Sequence, residues 1–138
     1  MSDRKPLGGR AYGSIPHLPG SRRGPADLGL EPQGARMRVD TPKDKRDRVI
    51  VQEKLDGSNV CAARIGNEIV ALTRAGYLAT TSPFAQHHAW ARWADAHRDV
   101  FLDMLVDGQR ACGEWLMVAH GTRYALPHEP FVLFDLRM

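Results

Sequence analysis

One stretch of the chain, residues 83–106, repeats its apolar side chains with the period of an α-helix. The side chains of that helix face stand three or four residues apart: Phe84, His87, Trp90, Trp93, His97, Val100, Phe101, Met104 and Leu105. Ser82-Pro83 is a natural helix start, and Asp107-Gly108 is a natural stop. The stretch therefore predicts one main helix whose apolar face packs against the rest of the fold.

Strand patterns flank this helix on both sides. Five short runs are rich in β-branched and other apolar residues: 48–54, 58–65, 68–74, 109–118 and 131–137. Asp56-Gly57 separates the first two runs, and Gly66-Asn67 is a hairpin-type turn between the second and third. The order of three strands, one helix and two strands predicts an α+β fold with a largely antiparallel sheet.

The N-terminal third differs from the rest of the chain. Residues 1–48 hold eleven Lys/Arg against six Asp/Glu, together with seven Gly and six Pro, and they lack apolar periodicity. This pattern predicts an irregular leader at 1–47 that builds little core, followed by a domain at 48–138. The basic charge could meet RNA phosphates, or it could belong to a solvated leader.

Composition excludes several classes of protein. The 138 residues suffice for one domain. The chain lacks an apolar run of about 18 residues, so no membrane span is expected. The first residues lack the apolar core of a secretory signal. The two cysteines, Cys61 and Cys112, have no paired spacing, so neither a disulfide framework nor a zinc site is expected. A reducing, cytoplasmic setting fits best.

Lys54-Leu55-Asp56-Gly57 follows the first expected strand. A deprotonated lysine amine can attack the α-phosphorus of a nucleotide and hold it as a phosphoramidate. Gly57 would let the backbone approach phosphates, and Asn59 could donate to their oxygens. By itself, this motif also fits an exposed turn with an incidental lysine.

Two later motifs place a charged residue near a strand. Arg74-Ala75-Gly76 could clamp phosphate or ribose oxygens, or could be an ordinary basic turn. Glu114, within Gly113-Glu114-Trp115, is a carboxylate inside an apolar run, which is costly unless a polar group meets it. A ribose hydroxyl or a metal-bound water would meet it, and the alternative is an edge-strand glutamate facing solvent.

The last run, 131–137, ends in an aromatic ring beside a carboxylate. Strict alternation would place Phe131, Leu133 and Asp135 on one face and Val132 and Phe134 on the other. The ring could stack on a base. The alternative is a plain core strand with an aspartate at its exit.

The order of these four motifs resembles the covalent nucleotidyltransferases, a superfamily of ligases and capping enzymes. The chain looks more specifically like the ATP-dependent RNA ligase family in three stretches: EKLDGSN, RAG after a hairpin, and GEWL…HGTRY…FVLFDL. Tyr12-Gly13-Ser14-Ile15 also resembles the segment that precedes the nucleophile in RNA ligases. The resemblance covers most of residues 10–137 and implies the N-terminal part of the ligase nucleotidyltransferase (ATP-grasp-like) domain.

The resemblance also implies roles for individual residues. Lys54 would carry AMP, and five residues would contact the nucleotide: Glu53, Asn59, Arg74, Glu114 and Phe134. Glu114 resembles the acid on the ribose, and Phe134 the ring on the adenine. Asp56 and Asp135 match recurrent motif acids. ATP, magnesium and RNA ends, nicked or tRNA-like, are the implied cofactors and partners.

The chain departs from the family after its fourth motif. No glutamate motif of the EGxV kind and no paired-lysine strand follow, and no lysine follows Lys54 at all. We therefore expect an incomplete domain, with a second chain supplying the missing motifs, or an inactive relative. Two alternatives stay open at this point: a non-catalytic fragment that binds nucleotide or RNA, and a DNA ligase or capping-type enzyme.

Overall fold

The computed structural model describes residues 4–20, 25, 28–35, 46, 48, 50–51, 55, 57–117 and 129–138. The chain divides into two compact units, one of Ser14–Lys54 and one that joins Met1–Gly13 to Leu55–Met138. Within the first unit, His17 and Gly29 form an isolated parallel bridge, followed by the single-turn helix α1 (Pro32–Ala35).

The second unit is built on four antiparallel strands. They are β1 (Ser58–Ile65), β2 (Glu68–Thr73), β3 (Arg110–Trp115) and β4 (Phe131–Arg137), in the order β2-β1-β3-β4. The hairpin predicted between β1 and β2 is confirmed, with Gly66 at φ +63° in its turn. The α+β prediction is also confirmed. For the strand expected at 48–54, residues 48, 50 and 51 have no regular structure, and the others lie outside the described residues.

The helix predicted across residues 83–106 forms as two helices. They are α2 (Ala85–Ala96), preceded by a 3₁₀ turn at Ala79–Thr81, and α3 (Arg98–Met104). His97 separates them because its backbone leaves the helical region at φ −106° and ψ 19°. The apolar period runs unbroken through His97, so the sequence pattern could not reveal the break.

The two helices cover one face of the sheet with large apolar side chains. Nine buried residues form this core: Val60, Ala62, Ala79, Trp90, Ala94, Phe101, Leu105, Ala111 and Trp115. Trp90 stacks on Phe131 at 4.8 Å between ring centroids and lies 5.6 Å from Trp115. The prediction that Trp90 belongs to the core is confirmed. We call this side the helix-covered face.

The opposite face of the sheet is covered by residues 7–13, which we call the N-terminal strap. Ala11 and Tyr12 are buried there against four sheet residues: Cys61, Ala63, Leu72 and Cys112. Leu7 packs at the edge of the same cluster. The leader was expected to build little core, yet these residues close a second core beneath the sheet. We call this side the strap-covered face.

The two cysteines meet on the strap-covered face. Cys61 on β1 and Cys112 on β3 are register partners with Cα atoms 4.2 Å apart, and their sulfurs form a disulfide. The prediction of no disulfide is therefore wrong. The pairing lies between strands that are 51 residues apart, which leaves no spacing signal in the sequence. The predicted cytoplasmic location stays a prediction.

In the part of the chain that the structure describes, no helix is both long and apolar enough to cross a bilayer.

Candidate functional site

Three of the predicted site residues lie in a row across the strap-covered face. Asn59 on β1 is the register partner of Glu114 on β3. On the other side of β1, Val60 pairs with Thr73, the last residue of β2, and Arg74 follows it directly in the chain. Directly opposed residues of an antiparallel pair have Cβ atoms about 5 Å apart. A single ligand could therefore contact an amide, a carboxylate and a guanidinium together.

Asn59 carries a buried acceptor without a partner. Its Oδ1 is shielded from solvent and, among the described residues, accepts no hydrogen bond. Buried polar atoms in native proteins are nearly always paired, so this oxygen suits a ligand donor. Three other buried polar atoms also lack a partner within the described part of the chain: Ser58 Oγ and the indole nitrogens of Trp90 and Trp115. Alternation and packing place these three on the helix-covered side.

Glu114 is half-buried in β3, which lies between β1 and β4. The alternative of a glutamate on an edge strand is therefore wrong. The residues of an interior strand pack against other groups on both faces of the sheet. A carboxylate at such a position therefore requires a polar partner. Its register partner Asn59 places a polar residue beside it on β1.

Phe134 and Asp135 follow an irregularity in the β3–β4 ladder. Gly113 pairs with Leu133, but the next residue back, Cys112, pairs with Asp135, which leaves Phe134 as the extra residue of a bulge. Both side chains reach Tyr12 of the strap: Phe134 packs edge-to-face on its ring, and Asp135 accepts its hydroxyl. The predicted alternation that put them on opposite faces is wrong, because a bulge re-aims the residues that follow it.

Tyr12 is a residue of this face that the motif analysis did not select. Its hydroxyl donates to Asp135 Oδ2 at 3.1 Å, and its ring lies 5.2 Å from that of Phe134. The guanidinium of Arg137 lies over the Tyr12 ring at 5.2 Å. Burial first, and then the hydrogen bond and charge of Asp135, raise the pKa of Tyr12 above its ordinary 10.0. The hydroxyl therefore keeps its proton, and its ability to donate, at neutral pH. Its one sequence signal was the resemblance of the segment that begins at Tyr12.

The Arg74-Ala75-Gly76 turn holds the strap in place. The carbonyl of Arg74 accepts the backbone N–H groups of Ala11 and Tyr12 at 3.0 and 3.3 Å. The Arg74 guanidinium lies 3.5 Å from the carbonyl of Gly13. Gly76 has φ +99° and lies against the Gly9 carbonyl, so a Cβ at this position would overlap it. The motif glycine is therefore explained by packing of the strap.

Arg110 anchors the strap from β3. Its Nε donates to the carbonyl of Ala11 at 2.7 Å, and its Nη1 donates to the carbonyl of Met138 at 3.1 Å. Strap and sheet are thus joined by backbone and side-chain hydrogen bonds as well as by apolar packing.

Glu53, Lys54 and Asp56 lie outside the described residues, so the structure does not test their predicted roles. The glycine that ends their motif is described. A Cβ on Gly57 would come within 2.6 Å of the Trp115 carbonyl oxygen and 2.9 Å of Leu116 Cδ2. Close packing against the end of β3 therefore requires glycine here, whatever the motif binds.

The described residues do not bring together three or more His, Cys, Asp or Glu that could hold a metal ion. The acids Glu114 and Asp135 lie on neighbouring strands, but only Glu114 pairs with Asn59.

The fold is an α+β domain, and the row of polar residues makes one side of its antiparallel sheet the candidate site. The family model described as RNA ligase matches residues 47–138, more than half of the chain. The chain therefore belongs to the RNA ligase family, and a ligase-type function follows in general terms. No curated protein and no solved structure matches the chain at a significant level.

Proposed function

We propose that this chain carries the nucleotide-binding part of an ATP-dependent RNA ligase and that Lys54 is its nucleophile. The observation that carries the proposal is the row across the strap-covered face. It sets Asn59, whose Oδ1 has no partner among the described residues, beside Glu114, with Arg74 directly after the end of β2. An acceptor, an acid and a fork of donors suit a ribose and its phosphate.

The proposed reaction has three steps. The deprotonated amine of Lys54 attacks the α-phosphorus of ATP, so a P–N bond forms and pyrophosphate leaves. An RNA 5′-phosphate oxygen then displaces lysine and takes the AMP as a 5′–5′ pyrophosphate. Finally a 3′-hydroxyl attacks the RNA phosphate, the phosphodiester forms, and AMP leaves. Magnesium belongs to the proposal because it neutralises triphosphate charge.

Each site residue then has a part that its chemistry supports. Asn59 and Arg74 would contact sugar or phosphate oxygens, Glu114 the ribose, and Glu53 and Phe134 the adenine. Phe134 is half-buried, so part of its ring stays accessible to a base beside Tyr12. Base–aromatic stacking contributes about 1–3 kcal/mol per base.

The test is transfer of label from ATP to the protein. The purified chain is incubated with magnesium and ATP labelled at the α-phosphate, beside Lys54→Arg and a matched Lys45→Ala control. We expect acid-labile label on the parent and on the control, and none on Lys54→Arg, because a guanidinium keeps the charge but is no nucleophile. Labelled GTP in a parallel reaction separates a capping-type enzyme from an ATP-dependent ligase.

The absence of label on a chain shown to be folded would exclude autonomous adenylylation. Salt-sensitive RNA binding that survives Lys54→Arg would then favour the non-catalytic fragment. Label that appears only after adding a second polypeptide with the distal motifs would support a ligase completed in trans.

A further inference from the structure

Within the N-terminal strap, Tyr12 contacts two motifs of the proposed site. Its backbone N–H bonds the carbonyl of Arg74, its hydroxyl bonds Asp135, and its ring meets Phe134. Tyr12 is 7% exposed, so it lies inside this face. It joins two motifs that lie on opposite edges of the four-stranded sheet.

The bulge explains why Phe134 needs outside support. In a regular ladder, the pairing of neighbouring residues fixes the direction of each side chain. Phe134 is the unpaired extra residue between Leu133 and Asp135, so the ladder fixes its ring less firmly. The edge-to-face contact with Tyr12 holds the ring, and the hydrogen bond to Asp135 holds the next residue.

We propose that Tyr12 is a positioning residue that sets the Phe134 ring for stacking on the adenine of ATP. The inference rests on the proposed function. It goes further by assigning the strap a part in base recognition, separate from the phosphate contacts.

The contacts of Tyr12 allow base recognition and phosphate binding to be tested separately. Tyr12→Phe keeps the ring and the backbone bonds to Arg74 but removes the donor to Asp135. Phosphate binding should therefore be unchanged, whereas the Phe134 ring that would stack on the base should be held less firmly. The lost hydrogen bond lies within the protein, so only part of its free energy should appear in ligand binding. The Kd for ATP should therefore rise severalfold, and by no more than about tenfold. Inorganic tripolyphosphate, which has no base, should bind both proteins within about twofold.

The experiment is calorimetric titration of the full chain with ATP and with tripolyphosphate. Tyr77→Phe is the matched control, because the Tyr77 ring lies 4.9 Å beneath the Lys5 ammonium, away from Asp135. The control should bind both ligands like the parent. If labelling occurs, Tyr12→Phe should raise the half-saturating ATP concentration and leave the rate at saturation unchanged.

A second variant covers the case in which Tyr12→Phe fails to fold. Asp135→Ala removes the acceptor instead, and it should weaken ATP binding while leaving tripolyphosphate binding unchanged. Where Tyr12→Phe does fold, combining the two changes should cost little more than either one, because both remove the same bond. Equal losses for ATP and tripolyphosphate, or additive losses in the double variant, would overturn the inference. A parent that binds no ATP would overturn the proposed function with it, whereas ATP binding unchanged in Tyr12→Phe would overturn the inference alone.

Discussion

The two faces of the sheet are built in opposite ways. The helix-covered face buries tryptophan and phenylalanine rings that contact each other, as in Trp90 with Phe131 and Trp115. The strap-covered face buries two alanines, one leucine, a disulfide and one tyrosine, and it carries the row that contains Asn59 and Glu114. One face has apolar bulk, and the other has polar groups arranged beside a cross-link.

The difference separates stability from binding. Apolar burial contributes about 25 cal/mol per Å² to stability. Large rings therefore stabilise the fold most on a face that does not have to hold polar binding groups. A face that keeps a buried acceptor and a half-buried carboxylate loses part of that gain. We therefore expect variants of the helix-covered face to change mainly the stability of the fold. Variants of the strap-covered face should change ligand binding as much as they change stability.

The largest effect should come from Trp90→Ala on the helix-covered face. Trp90 is fully buried, and its removal leaves a cavity among four aromatic neighbours. The expected loss is about 3–5 kcal/mol in the free energy of unfolding, measured by urea denaturation. Val100→Ala is the control, because Val100 is 61% exposed on α3 and its truncation should change stability by under about 0.5 kcal/mol. A loss below about 1 kcal/mol for Trp90→Ala would contradict the assignment of stability to this face.

The next effect concerns the cross-link on the strap-covered face. The disulfide joins strands that are 51 residues apart, so reducing it frees a long loop in the unfolded chain. Native disulfides typically contribute about 2–4 kcal/mol. Dithiothreitol should therefore lower the free energy of unfolding by about that amount.

The control for the cross-link is the double variant Cys61→Ala and Cys112→Ala. These are the only two cysteines of the chain, so dithiothreitol should leave the stability of this variant unchanged. Free thiols should be detected in the denatured parent only after reduction. Two thiols before reduction would show that the cysteines are packed without a bond.

Local patterns predicted the helix-covered face well and the strap-covered face poorly. The helical period, the Gly66-Asn67 hairpin and the core position of Trp90 come from neighbours within a few residues of each other. The hairpin and the core position are confirmed, and the helix is confirmed apart from its break at His97. The bond from Tyr12 to Asp135 spans 123 residues, and the cysteine pair spans 51. Periodicity carries no information on such pairings, because they depend on how strands and strap assemble.

The predicted site residues show the same contrast between local patterns and long-range pairings. The motif order pointed to Asn59, Arg74 and Glu114, and the sheet register brings them into one row. The alternation applied to Phe134 and Asp135 failed at the bulge, which arises from the register between two strands. The roles of all six predicted site residues stay predictions, and two of these residues, Glu53 and Lys54, lie outside the described residues.

The smallest effect on stability, with a change of sign, should come from Asn59→Leu. Its Oδ1 is buried and, among the described residues, accepts no hydrogen bond. Replacing such a group by an apolar one of similar size removes a desolvation cost, so the free energy of unfolding should rise by about 1 kcal/mol. ATP binding should fall in the same variant, because the amide that would contact the nucleotide is lost.

The matched control is Asn67→Leu, because Asn67 is an exposed asparagine in the β1–β2 turn with no place in the row. It should leave ATP binding unchanged and should not raise stability. A loss of stability in Asn59→Leu would mean that the amide has a partner that stabilises the free protein. A gain of stability with undiminished ATP binding would remove Asn59 from the site and leave its burial without a function. The opposite signs of the two expected effects separate a residue kept for its ligand from one kept for the fold.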